Sequence, residues 1–445
     1  MEDYRRIADT IAADITAGRL RPGDRLPPQR RFARDHRIAE STAARVYREL
    51  TRRGLVVGEV GRGTFVRAAA PVPGPALAEP AAARIDLELN YPLVASQDTL
   101  LAGGLTPLLR PDVLGSALRP CAATGTPAAR AAAAALLSRP GWDPDPARVL
   151  FAGNGRQGIA AALAALVPPG GRLGVESLTY PVIKAIAARL GITPVPLPLD
   201  EHGLRPDGVT DACRATPLHA VYLQPTLHNP LGLTMPPARR AELAATLTRL
   251  NLTAVEDRIW SFLTNGPPPL AAFAPDHTVL VDSLSKRLAP GLTAGLILTP
   301  PALTDRLTSA LRSGAWTATG FALQAATRWI TDGTAAVIGQ AKRDDAAARQ
   351  RIAARALTGF TVHADPHAYY CWWRLPDPWR AETFVAAAAR RGIAITPAAA
   401  FAIGRPAAPG AVRLGLASPP PDTLDHALTT LAAIAHGTPE DTVAE

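Results

Sequence analysis

Cysteine, lysine and long apolar runs are all scarce in this chain of 445 residues, and each scarcity excludes something. Cys121, Cys213 and Cys371 are odd in number and unclustered, which argues against a disulfide framework or a zinc site. No apolar run is long enough to span a bilayer, and the opening Met-Glu-Asp-Tyr-Arg-Arg is too polar for a secretory signal. A cytoplasmic protein with no membrane segment and no metal centre is the expectation. Of 47 basic residues only Lys184, Lys286 and Lys342 are lysines. A lysine at a strand end in such a chain is open to two readings. It is an incidental surface charge, or it does what a guanidinium cannot, such as form a Schiff base after losing its proton.

Charge is unevenly spread. The formal net charge is +9, and residues 1–67 hold 15 arginines against 9 acidic residues. A small basic module on a nearly neutral body suggests a polyanion partner, although a solvated charged face has the same composition. The 44 prolines accompany abundant Ala and Arg, and apolar periodicity persists throughout. That pattern reflects composition bias rather than disorder.

Within residues 1–67, Ile7, Ile11 and Ile15 recur at helical spacing and Gly18 stops the helix. A turn over Leu20–Pro28 leads to a second helix ending near Asp35 and burying Phe32 and Ala33. Ser41 or Thr42 is placed to N-cap a third helix with Val46, Tyr47 and Leu50 on its apolar side. Leu55-Val-Val and Thr64-Phe-Val then read as a hairpin with a glycine-rich tip carrying Arg62. Three helices and a basic hairpin make a winged helix-turn-helix, whose third helix enters the major groove. The run Leu-Arg-Pro-Gly-Asp-Arg-Leu-Pro with Arg30, Thr42, Tyr47-Arg-Glu-Leu and Gly61-Arg-Gly-Thr-Phe-Val resembles the GntR family across residues 1–67. That resemblance implies operator contacts at Arg30, Ser41, Thr42, Arg45, Gly61 and Arg62. Glu40 and Ala44 stand where the family is often basic, which leaves the base preference open. Residues 68–84 lack periodicity and carry four prolines, as a semi-rigid linker would.

Residues 85–445 alternate strand and helix, which predicts an α/β domain with a mostly parallel central sheet. Strands at Val149–Ala152, Arg172–Val175, Ala220–Leu223, Leu252–Val255 and Thr278–Val281 each end in polar or aromatic groups. Open α/β sheets bind ligands beyond such carboxyl ends. The segment Ser283-Leu-Ser-Lys286-Arg-Leu-Ala-Pro-Gly resembles the cofactor-lysine segment of fold-type I pyridoxal-phosphate (PLP) proteins, the aminotransferase class I/II superfamily. The resemblance implies that Lys286 carries PLP as a Schiff base and that Asp257 holds the pyridine nitrogen protonated. It likewise implies that Asn229 meets the ring oxygen, that Tyr180 stacks on the ring, and that Gly155, Arg156, Gln157, Ser283 and Ser285 cup the phosphate. Arg413, in Ala411-Val-Arg-Leu-Gly, resembles the arginine that clamps a substrate α-carboxylate.

A GntR winged helix joined to an aminotransferase-like domain is the architecture of MocR-type regulators, which include the vitamin B6 regulators of the PdxR kind. For this chain the resemblance implies a homodimeric, DNA-operator-binding transcriptional regulator with PLP, or an amino compound reacting with it, as effector. Several positions depart from the family pattern. Thr293 and Ala294 stand where a phosphate-gripping arginine is usual, leaving Arg156 or Arg287 as replacements. Ile259 and Trp260 follow Asp257 where a tyrosine is usual, and Leu118-Arg-Pro-Cys121 lacks another. These losses argue against efficient turnover. The alternatives are an active PLP-dependent aminotransferase with an accessory DNA-binding head and a cofactor-free regulator.

Overall fold

A computed structural model describes residues 4–17, 19–20, 24–53, 55–59, 63–66, 83–404 and 408–439. Helix α1 (Tyr4–Thr16) buries Ala8 and Ile11, α2 (Gln29–Asp35) buries Phe32 and Ala33, and α3 (Glu40–Arg52) buries Ala43, Val46, Tyr47 and Leu50. These side chains form one small core, in which the Phe32 and Tyr47 rings meet edge-on at 5.2 Å. The Tyr47 hydroxyl donates to the Pro27 carbonyl, which pins α3 to the turn before α2. Strands β1 (Val56–Glu59) and β2 (Gly63–Val66) pair antiparallel, with Val56 opposite Val66 and both buried. The N-cap expected at Ser41 or Thr42 is not there. The helix begins at Glu40 behind an extended Ala39, without a capping side chain. An acidic first residue suits the positive end of the helix dipole, and the shift leaves the Ser41 hydroxyl exposed. Gly18, Gly61, Arg62 and most of the linker expected at 68–84 lie outside the described residues.

The body is built on a seven-stranded sheet of β3 (Val149–Ala152), β4 (Arg172–Glu176), β5 (Thr193–Leu197), β6 (Ala220–Leu223), β7 (Thr253–Asp257), β8 (Thr278–Ser283) and β9 (Gly295–Leu298). Its order is β3-β9-β8-β7-β6-β4-β5. Only β9 runs against its neighbours, pairing antiparallel with both β8 and β3. Strands β3, β6 and β8 are buried along their whole length, as a sheet covered on both faces requires. The edge strand β5 carries Pro194 and Pro196, which lack ladder donors and are tolerated at an edge. Helix α4 (Gly155–Leu166) follows β3 directly.

The 23-residue helix α5 (Thr334–Ala356) leads into a smaller sheet. Strands β10 (Thr361–Ala364), β11 (Tyr370–Arg374), β12 (Thr396–Pro397) and β13 (Ala411–Gly415) run in the order β10-β11-β13-β12, all antiparallel. Helices α6 (Ala381–Arg390) and α7 (Pro421–His436) close its core around Trp373, Phe384, Leu414 and Leu428. Ile85–Asp86 pairs in parallel with Ile393–Ala394, which brings residues 87–91 back past the small sheet to the large one. The winged domain touches this part of the molecule through Asp9. Its carboxylate accepts from Arg53 at 2.8 Å within the winged domain and from Arg380 at the start of α6. Among the described residues no helix is long and apolar enough to cross a membrane.

Candidate functional site

The last residues of β6, β7 and β8 converge with the returning segment 87–91. Lys286 lies on the single helical turn Leu284–Arg287 that follows β8. Its Nζ donates to the Asn90 carbonyl at 2.5 Å and lies 4.4 Å from the Tyr91 ring centre and 5.6 Å from that of Trp260. No carboxylate pairs with it among the described residues. Burial pushes its pKa down to about 7, helped by the charges of Arg156, Arg413 and Lys342.

Asp257 ends β7. Its Oδ2 accepts from the Tyr222 hydroxyl and the Gln224 amide, each at 2.7 Å, and its Oδ1 accepts from the Ile259 N–H at 3.0 Å. Burial pushes this carboxyl up to about 6, while those three hydrogen bonds hold it down. Gln224 is a hinge between groups, since its Oε1 also accepts from the Asn229 N–H at 3.2 Å. The Asn229 Oδ1, the Asn90 Nδ2 and the Arg413 Nε are buried with no hydrogen-bond partner. Buried polar atoms without partners carry a desolvation cost that a ligand would relieve.

A hydroxyl cluster lies at the amino end of α4. Ser283 Oγ is 2.9 Å from Ser285 Oγ, which is 3.0 Å from Thr293 Oγ1. The Asn154 side chain caps α4 by accepting from the Gln157 N–H at 2.9 Å, so this Gln157 amide is already committed, leaving Gly155 and Arg156 at the open end. Gly155 is tightly fitted, because a Cβ there would stand 3.2 Å from Ser283 Cβ and the serine would have to yield by a few tenths of an ångström. Gly295 is tighter still, with a Cβ position 2.5 Å from the Asn154 carbonyl oxygen. Arg156 donates to the Tyr180 hydroxyl at 3.0 Å. Arg287 does not join this cluster. It turns to Asp282 at 3.3 Å and stacks 5.2 Å from the Phe262 ring, so of the two replacement arginines only Arg156 touches a site residue.

Arg413, on β13, sits opposite Trp372 and Thr396 in the small sheet. Its Nη2 donates to the Glu88 carbonyl and, at 3.2 Å, to Thr396 Oγ1, and its guanidinium lies over the Phe401 ring at 5.4 Å. Sequence reasoning named Lys286, Asp257, Asn229, Tyr180 and Arg413, placed Thr293 only as a lost arginine and Gln224 only as a strand end, and missed Tyr222, Asn90 and Tyr91. The alternation of β6 puts Tyr222 and Gln224 on one face, and that was the available signal. Asn90 and Tyr91 left none, because they arrive by a return of the chain.

In the winged domain Arg30 is 85% exposed at its side chain and stands 3.7 Å from Glu40. Ser41, Arg45 and Arg48 are exposed along α3, and Thr42 is half-buried.

Residues 117–431 match the family model described as aminotransferase class I and II. The chain belongs to that family. Ahead of the aminotransferase domain, residues 3–66 match the model of bacterial regulatory proteins, gntR family, and form its winged helix-turn-helix. Two relatives match along nearly the whole of both chains. An uncharacterised HTH-type transcriptional regulator of Bacillus subtilis, YdeF, is 29% identical over 94% of this chain and 90% of its own. The vitamin B6 salvage pathway transcriptional repressor PtsJ of Salmonella typhimurium is 25% identical over 97% of each. Among solved structures, an archaeal alanine:glyoxylate aminotransferase superposes with a TM-score of 0.72 at 18% identity, over 79% of this chain and 90% of that one. Fold-type I architecture is thereby established for the aminotransferase domain.

Proposed function

We propose that this chain is a MocR-type transcriptional regulator that binds an operator through α3 and its wing and carries PLP at Lys286 as effector. The observation that bears most weight is the enclosure of Lys286. A lysine held near neutrality between Tyr91, Trp260 and the Asn90 carbonyl is a poor salt-bridge partner and a good amine nucleophile. The surrounding residues fit PLP. Asp257 keeps lone pairs for a pyridinium, Asn229, linked to it through Gln224, carries a side-chain NH2 able to donate to the ring oxygen, and the Ser283, Ser285 and Thr293 hydroxyls with the start of α4 offer donors to a phosphate. When bound, the group supplies an aldehyde for the lysine and an electron-withdrawing ring. Thr293 brings a neutral hydroxyl where a cation would grip harder, which suits an effector that must come and go.

Arg30, Ser41, Thr42, Arg45 and the tip residues Gly61 and Arg62 are the proposed DNA contacts. The exposed Leu93, Leu109, Leu118 and Val337 are the proposed surface of a homodimer, which would present two winged domains to paired half-sites. By the name of PtsJ, vitamin B6 metabolism is the proposed regulon. A second reading, residual transaminase activity, is favoured by one observation: Arg413 keeps a buried, unpartnered Nε beside Phe401. A PLP titration and a mobility-shift assay test the first reading, and a transamination assay on the PLP-saturated protein tests the second. Purified protein titrated with PLP should develop a Schiff-base absorption that borohydride fixes on Lys286 and that Lys286→Ala abolishes. A mobility-shift assay on its own promoter should show salt-sensitive binding that disappears without residues 1–67. No absorption at saturating PLP would leave a cofactor-free regulator, and loss of DNA binding alone would leave the enzyme.

A further inference from the structure

Four arginines gather on the turn after Asp257, outside the Lys286 site. Arg258 and Arg287 directly follow Asp257 and Lys286, yet neither side chain hydrogen-bonds a residue of that site. Arg139 donates to the Ser261 carbonyl at 3.3 Å and Arg343 to the Phe262 carbonyl at 2.8 Å. Arg287 lies against the Phe262 ring. Arg139 and Arg343 are half-buried at the rim, and Arg258 and Arg287 are only 2% and 6% exposed behind them.

The balance of charge is lopsided. Asp282, 3.3 Å from Arg287, is the carboxylate that pairs within this group among the described residues. Guanidinium groups keep their protons in proteins, so four positive charges face one negative charge. The strain shows in the titration of the group. Burial pushes Arg139 down to about 10, and the neighbouring Arg258 and Arg287 add to the shift. The decisive observation is the set of empty donors. Arg258 Nε and Nη1, Arg287 Nε and Ser261 Oγ are all buried with no hydrogen-bond partner. A lone unsatisfied donor is common enough; several on adjoining cationic side chains are a site awaiting acceptors.

We propose that this cluster binds a small polyvalent oxyanion of the phosphate class, through Arg258, Arg287 and Ser261, with Arg139 and Arg343 closing its rim. A tetrahedral oxyanion offers acceptors in several directions at once, which matches donors carried on three different side chains. The site is separate from the PLP reading and stands or falls without it. An anion seated there ties the turn Arg258–Leu263 to Lys286's own turn, so its occupancy is read as stability of the domain.

The test uses the full chain, saturated with PLP so that the Lys286 site contributes no phosphate binding of its own. Inorganic phosphate is titrated by calorimetry and thermal unfolding, with chloride adjusted to hold ionic strength constant. The expected result is saturable binding of one phosphate per chain and a matching rise in melting temperature. Arg258→Met should lose both, with affinity at least tenfold weaker, yet melt no lower than wild type in chloride, because the unpartnered buried charge is gone. Arg139→Gln, at the half-buried rim, serves if Arg258→Met fails to fold, and should also weaken phosphate binding severalfold. The proposal is overturned by any of three results: no saturable effect, an effect equal in wild type and variants, or one that appears only as a second copy of the chain associates.

Discussion

Lys286 offers the sharpest quantitative expectation. A free lysine has a pKa of 10.5, and the Lys286 ammonium is pushed to about 7. At pH 7 about half of such an amine is neutral, against about three in ten thousand for an unperturbed one, a gain of about three decades in nucleophile. The leading cause is burial, and the Tyr91 ring 4.4 Å from Nζ is part of what encloses it. Tyr91→Ala would readmit water and raise the pKa by about one unit, leaving about tenfold less neutral amine at pH 7. The assay is the rate of Schiff-base absorption on mixing with PLP, followed from pH 6 to 10. Wild type should show an inflection near 7 and Tyr91→Ala one nearer 8. The sign for stability follows as well. The unfolded chain holds more protons than the folded one between about pH 7 and 10.5, so this group's contribution to stability rises with pH across that window. A wild-type inflection near 10, or one that Tyr91→Ala leaves in place, would refute the reasoning.

Other expectations are independent of that one. Asp257→Asn should weaken PLP binding at least tenfold by spectroscopic titration; in the wild type, affinity should grow as pH rises through about 6, where the buried carboxyl ionises. Thr293→Arg should tighten PLP by about one to two decades, since a charge-assisted bond contributes about 1.5–3 kcal/mol; an unchanged dissociation constant would show that the hydroxyl cluster is not the phosphate cup. Arg30→Ala should weaken operator and non-specific DNA alike if its contact is to phosphate, and lower the salt slope by about one. For Asp9, burial raises the carboxyl and the bonds from Arg380 and Arg53 more than offset it, so its pKa lies below the usual 3.8. Its contribution is therefore present above that value and lost as pH falls through the lowered one, and Asp9→Asn should cost about 1 kcal/mol, read by urea unfolding at pH 7.

The sequence by itself determined what local chemistry can encode. Helical spacing at Ile7, Ile11 and Ile15 and the apolar side of α3 specified the winged domain, because periodicity sets which face is buried. Short apolar runs ending in polar residues marked β3, β4, β6, β7 and β8, and the resemblance of Ser283–Gly291 to a cofactor-lysine segment, rather than the scarcity of lysine, singled out Lys286 as the candidate. Boundaries were less legible: the start of α3 is decided by packing and the helix dipole, not by a capping hydroxyl. Strand β9 was invisible as an antiparallel member, since a four-residue apolar run carries no direction. Tertiary structure alone decided that Asn90 and Tyr91 enclose Lys286 across 195 residues or more of chain, that Gln224 links Asp257 to Asn229, and that Arg287 leaves the phosphate cup for Asp282. Such contacts depend on where the chain returns in space, and the pKa of a buried amine depends on everything packed around it. Neither quantity is a property of the residues in order.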